Sequence, residues 1–128
     1  INCGNAMNPG LLASFRGESN VLVTHPESEE TPCTLTKTVD VPAAKKTVLT
    51  AVVSHNHRGD WLLALKVNKV QKHETKAISA ETCPDGWCRV EFDLSDWAGQ
   101  TVRLELLNQA TGWSFEAGYW AEIAIDSN

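Results

Sequence analysis

Cys88-Arg89-Val90-Glu91-Phe92-Asp93-Leu94 alternates without a break: Cys88, Val90, Phe92 and Leu94 fall on one side, Arg89, Glu91 and Asp93 on the other. A strand points successive side chains to opposite faces, so this is the pattern of a half-buried antiparallel strand. The same period runs through the chain on either side. Downstream, Val102, Leu104 and Leu106 alternate with Arg103 and Glu105, and Tyr119, Ala121, Ile123 and Ile125 lie opposite Glu122 and Asp126. Upstream, Trp61, Leu63, Leu65 and Val67 alternate with Leu62, Ala64 and Lys66. Residues 33–41 set Cys33, Leu35, Val39 and Val41 opposite threonines and Asp40, while 20–24 and 46–54 are apolar on both sides and read as central strands. Residues 67–80 have some helical spacing, but Lys and His interrupt it; a turn at Asn68-Lys69 and a return strand near 70–78 fit better. Seven or more short strands at regular spacing predict an all-β chain, an antiparallel β-sandwich. Residues 1–128 read as one domain with an irregular N-terminal arm over about 1–18, where Gly4, Pro9, Gly10 and Gly17 fall.

Composition narrows the function. The chain has 128 residues, 42% of them hydrophobic, enough for a real core. Sixteen acidic side chains against eleven basic give a formal charge of −5, which argues against nucleic acid, whose phosphates are bound by basic patches. The longest apolar run, 62–65, falls far short of the roughly 18 residues of a membrane span, so no membrane insertion is expected. The sequence opens on Ile1 with no basic-then-apolar leader, as in a mature form or excised domain.

Four cysteines make two possible bridges. Cys83 and Cys88 flank Pro84-Asp85-Gly86-Trp87, a turn sequence that brings the sulfurs together. That pairing leaves Cys3–Cys33, which would clamp the N-terminal arm. In the loop-entropy account the short bridge stabilises by about 2 kcal/mol and the longer by about 3–4 kcal/mol. Zinc fits poorly, because C-x₄-C lacks a second ligand pair. Disulfides imply an oxidising location: extracellular, periplasmic or cell-surface.

The segment Phe92-Asp93-Leu94-Ser95-Asp96-Trp97-Ala98-Gly99-Gln100-Thr101-Val102-Arg103-Leu104-Glu105-Leu106 reads as a strand, a short turn capped by Asp93 or Ser95 with Trp97 tucked beneath, a chain reversal at Gly99, and a second strand. It resembles the V-D-L-S-x-Y-A-G-x-T-V-x-L-x-L hairpin of galactose-binding-like jelly rolls, with Trp97 in the aromatic place. That group includes bacterial carbohydrate-binding modules, discoidin-type lectin domains and accessory sandwiches of glycosidases. Trp120-Ala121-Glu122-Ile123-Ala124-Ile125 is similar to the A-E-I-x-I/V ending of many of these domains. In members with a structural calcium the Glu of that ending is often a ligand. The resemblance thus implies a calcium candidate at Glu122, with Asn2, Asn5, Asn8, Glu18, Ser19 and Asn20 as nearby oxygen donors. It covers 33–126 and speaks to fold more than to function.

Counting antiparallel strands assigns loops to ends. One end receives 25–32, 55–60, 80–87 and 109–118; the other receives 42–45, 68–69 and 95–100. The first is far richer. A sugar site needs an aromatic face for the ring and planar polar groups for its hydroxyls. Trp87 or Trp113 is expected as the platform, with His55, His57, Arg58, Asp60 and Asn108 as hydroxyl partners and Trp61 and Phe115 just beneath. Trp61 and Trp120 belong to strand patterns and read as packing residues. His55-x-His57 could place two imidazoles on one face, with His25 or Asp60 as a third metal ligand. Arg58-Gly59-Asp60 reads as an ordinary turn. With no Gly-flanked Ser, phosphate-binding loop or haem attachment sequence, the chain is not expected to be an enzyme. The expected function is a non-catalytic carbohydrate-binding-like module, secreted or part of a larger secreted protein. The alternative is an accessory sandwich that packs against a protein partner or neighbouring domain without a sugar site; a small metalloenzyme using His55 and His57 is the third reading.

Overall fold

The computed structural model describes residues 10–112 and 115–127. Nine strands run through them: β1 (Gly10–Phe15), β2 (Glu18–Thr24), β3 (Cys33–Asp40), β4 (Thr47–His55), β5 (Trp61–Val67), β6 (Lys76–Ile78), β7 (Cys88–Asp93), β8 (Thr101–Gln109) and β9 (Gly118–Ser127). They form two antiparallel sheets, β1-β2-β9-β4-β7 and β3-β8-β5-β6. Leu49, Ala51 and Val53 of β4, Trp120 of β9 and Phe92 of β7 meet Trp61, Leu63 and Leu65 of β5 and Val102, Leu104 and Leu106 of β8 in one buried core. Period two therefore did its expected work. Among the described residues no helix is long and apolar enough to cross a membrane.

The segment from Phe92 to Leu106 differs from the expected hairpin. β7 pairs with β4 and β8 with β3 and β5, so the turn between them carries the chain from one sheet to the other. Its local chemistry is partly as read: Ser95 N–H donates to Asp93 Oδ1 at 2.8 Å, Ser95–Trp97 is a 3₁₀ turn, and Trp97 is buried beneath it, but the cap position falls on Leu94, which makes no side-chain capping bond. Gly99 takes φ +79°, and its N–H donates to Val41 O across the end of the sandwich at 2.8 Å.

Three further expectations change. Residues 1–9 of the arm lie outside the described residues, but Gly10–Phe15 is a strand, joined to β2 through Arg16-Gly17 with both φ positive. Two such residues make the tight turn that suits strand twist. Its side chains are mostly exposed, so no burial pattern marked it. The return strand near 70–78 shrinks to one bridge, Val67 to Val70 around the Asn68-Lys69 turn, and the three residues of β6. In β9 the register shifts: Val52 faces Glu122 but Val53 faces Trp120, leaving Ala121 as an extra residue. A bulge of this kind flips the side-chain parity. Trp120 thus packs on Trp61, ring centroids 5.2 Å apart, while Tyr119 lies on the outer face under Phe15.

Cys83 and Cys88 are bonded, with Cα atoms 4.9 Å apart, and Gly86 at φ +89° closes the turn between them. Cys33 is also disulfide-bonded; Cys3, its expected partner, lies outside the described residues.

Candidate functional site

Strand pairing brings the chemically rich loops together. Thr24 and His55 both face Gly118, and Cys33 faces Asn108, so the loops after β2, β4 and β8 share one end with the start of β3. Between the β4–β5, β6–β7 and β8–β9 loops opens a cavity of about 570 Å³, lined among others by His57, Arg58, Asp60, Glu81, Thr111 and Glu116.

The β4–β5 loop is held by its own polar groups. His55 is buried, and its Nδ1 lies 2.7 Å from Asn56 O and 3.0 Å from Gly59 O. Both are acceptors, so Nδ1 carries the proton and donates. Asn56 Oδ1 in turn accepts from Arg58 N–H at 3.0 Å, and Asn56 O from Gly59 N–H at 2.9 Å. The tight turn thrusts Arg58 and Asp60 towards the cavity.

Gly59 is where two loops touch. A side-chain carbon there would stand 2.6 Å from Phe115 Cβ and nearer still to the Phe115 carbonyl oxygen. Phe115 takes φ +56°, a conformation uncommon for a residue with a bulky side chain, and is 47% exposed. The Arg58 guanidinium stands 5.8 Å from its ring centroid, within cation–π range.

The β8–β9 loop is organised by Glu116. This carboxylate is almost wholly buried, yet its Oε1 accepts from Thr111 N–H at 2.5 Å, Gly112 N–H at 2.8 Å and Thr111 Oγ1 at 2.8 Å. Thr111 Oγ1 also lies 2.6 Å from Asp60 Oδ1, which ties the β8–β9 loop to the end of the β4–β5 loop.

Of the residues singled out in the sequence, His57, Arg58 and Asp60 line this cavity. The others go elsewhere. His55 is a loop staple, not a ligand-facing imidazole, so the His55/His57 pair does not converge. Asn108 continues the inward row of β8: fully buried, it donates to Thr24 Oγ1 at 2.9 Å, and Trp120 Nε1 donates to the same oxygen. Trp87 is spoken for by the β1–β2 hairpin: its indole N–H donates to Arg16 O at 3.1 Å, and Phe15 meets its ring edge-on at 6.1 Å. Trp113 lies outside the described residues. Phe115, expected beneath the loops, is instead exposed at the rim. Glu122 is exposed on β9 opposite Val52, while Asn2, Asn5 and Asn8 of its expected calcium shell lie outside the described residues. Among the described residues no three His, Cys, Asp or Glu side chains gather to hold a metal. Glu81, Thr111 and Glu116 were missed, because a loop carboxylate carries no periodic signal that separates an organising role from a solvated one.

No known protein family and no curated protein matches the sequence. Solved structures do. The CBM22-1 xylan-binding domain of Paenibacillus barcinonensis Xyn10C superimposes with a TM-score of 0.63 at 12% identity, covering 94% of this chain and 80% of that one. A family 35 carbohydrate binding module from an environmental isolate gives 0.62 at 13%, covering 94% and 84%. The EclA C-terminal domain, a sugar-binding protein, gives 0.60 at 13%, covering 98% and 89%. The fold is a carbohydrate-binding-module jelly roll. In this jelly roll the cavity lies at the loop end, framed by the β4–β5, β6–β7 and β8–β9 connections above the apolar interior.

Proposed function

We propose that this chain is a non-catalytic carbohydrate-binding module that takes a saccharide in the loop cavity. One observation carries the reading: a cavity of about 570 Å³, lined by charged and hydroxyl side chains from three loops, stands beside an exposed aromatic ring on a jelly-roll scaffold. Planar polar groups such as Asp60, Glu81 and Arg58 suit sugar hydroxyls, and Phe115 offers an apolar face for ring C–H groups. The fold neighbours, named for xylan or sugar binding, favour that ligand class by analogy. The Cys83–Cys88 bridge supports an oxidising location outside the cytosol, where such modules meet polysaccharide.

The test is a glycan array with the purified chain, run with and without chelator, followed by Phe115→Ala and Arg58→Ala. Binding that both variants weaken while their melting temperatures hold supports the reading; an array with no bound glycan contradicts it. The chelator arm reads the expected calcium at Glu122.

One observation favours a second reading, packing against a neighbouring domain. An apolar hollow of about 310 Å³ opens between the sheets, lined by Leu22, Leu35, Leu49, Leu104, Ile123 and Ile125, the isoleucines 43% and 37% exposed. An array without binders, together with self-association or partner capture lost on Ile123→Asp, would shift the account to it.

A further inference from the structure

Glu116 poses a hydrogen-bond problem that the described residues do not solve. It is 1% exposed, and three donors, all from Thr111 and Gly112, converge on one carboxylate oxygen, Oε1. The other, Oε2, is buried with no partner among the described residues. Burying a carboxylate oxygen unpaired is costly, and folded proteins nearly always supply a donor. A second shortage adjoins it. The Thr111 hydroxyl lies within hydrogen-bond distance of both Asp60 Oδ1 and Glu116 Oε1, yet has one proton to give. This wall of the cavity, which Glu81 also lines, holds more acceptors than donors. Among the described residues no three His, Cys, Asp or Glu side chains gather there to hold a metal. On the donor side, Arg58 stands over the Phe115 ring.

We propose that Glu116 is the hydroxyl-accepting anchor of the cavity, and that the saccharide it takes is neutral. A sugar hydroxyl supplies the proton that Oε2 lacks. A uronate at the same place would set another carboxylate against Asp60, Glu81 and Glu116, so acidic sugars are discriminated against by repulsion as well as by lost hydrogen bonding. This inference rests on the saccharide reading above and adds the class of sugar and the residue that selects it.

The decisive variant is Glu116→Gln, nearly identical in shape. Its amide oxygen takes the place of Oε1, where three donors wait, and this puts the amide NH₂ where Oε2 was. An acceptor thereby becomes a donor. Affinity is measured by calorimetry for neutral xylo-, gluco-, galacto- and manno-oligosaccharides and for their uronate-bearing counterparts, with thermal melts for each protein and Glu91→Gln on exposed β7 as a charge control. Loss of one hydrogen bond to a charged acceptor is worth about tenfold to a hundredfold in affinity. Glu116→Gln should lose that much on the best neutral ligand, while Glu91→Gln loses nothing. Monodeoxy analogues keep the test open if Glu116→Gln melts early: on the unaltered protein one position should lose tenfold or more. Unchanged affinity in a folded Glu116→Gln, or a deoxy series with no sensitive hydroxyl, overturns the anchor and leaves the saccharide reading standing. A preference for uronates overturns the sugar class. No saccharide binding at all overturns the reading on which both rest.

Discussion

Gly59→Ala tests whether the cavity depends on two loops in backbone contact. Ordinary van der Waals contact begins near 3.4 Å, and the new methyl would stand 2.6 Å from Phe115 Cβ. The loops must therefore part by at least 3.4 − 2.6 = 0.8 Å, and further where the Phe115 carbonyl intrudes. The obstacle is backbone, fixed on the other side by Glu116 holding Thr111 and Gly112, so it cannot swing aside as a flexible side chain would. Overpacking of this kind costs about 1–3 kcal/mol. For a domain of this size each kcal/mol lowers the melting temperature by about 3–6 °C. Thermal unfolding followed by circular dichroism should show a loss of about 3–18 °C with the β signature intact below it. Saccharide affinity should fall about tenfold or more, because Arg58 and Phe115 move relative to Asp60. Gly112→Ala, in the same loop system but with nothing within 4 Å of the added carbon, should melt like the unaltered protein. If Gly59→Ala and Gly112→Ala are indistinguishable in stability, and the former binds saccharide normally, the reasoning about loop contact is wrong.

Trp87→Ala should loosen the β1–β2 hairpin, speeding amide exchange at 10–17, while saccharide affinity stays within about twofold; a large loss of affinity would return Trp87 to the binding surface. Replacing both Cys83 and Cys88 with Ser should cost about 2 kcal/mol in denaturant unfolding, the loop-entropy value for a bridge with sequence separation 5, and no cost would show the turn to be self-sufficient. The side-chain and backbone hydrogen bonds from Ser95 hold the Asp93 carboxyl below its ordinary pKa of 3.8. Because the folded value is the lower one, this contribution is complete above 3.8 and is lost as pH falls through the folded value. Asp93→Asn should flatten the loss of stability in acid, and equal slopes for the two proteins would contradict that sign.

The sandwich was legible because burial on one face imposes period two on every strand that enters the core. Trp61 to Val67, Cys88 to Asp93 and Val102 to Leu106 show it, and each is where it was expected. What escaped was set by single residues acting through geometry. Ala121 adds one position to β9 and reverses the faces of Tyr119 and Trp120 relative to Ile123, which no alternation pattern reveals. β1 escaped because a strand with both faces largely exposed has nothing to alternate. At the loop end, residue type pointed to a polar rim, and His57, Arg58 and Asp60 do line the cavity, but the direction of each side chain was not legible. Asn108 is the last inward position of β8, so the strand's own period turns it to the core. His55 resembles a ligand until the carbonyls of Asn56 and Gly59 are seen to claim it. Glu116 looked like any loop acid, and only the fold shows three donors meeting on one of its oxygens.

The proposed seat of the saccharide lies among the β4–β5, β6–β7 and β8–β9 loops. Two-dimensional amide NMR of the isotopically labelled chain, titrated with the best array ligand, tests it directly. Shifts concentrated at His57, Arg58, Asp60, Glu81, Thr111, Gly112 and Glu116 are the predicted result. Shifts centred instead on Leu22, Leu104 and Ile123, or on the hairpin around Phe15 and Trp87, would contradict it.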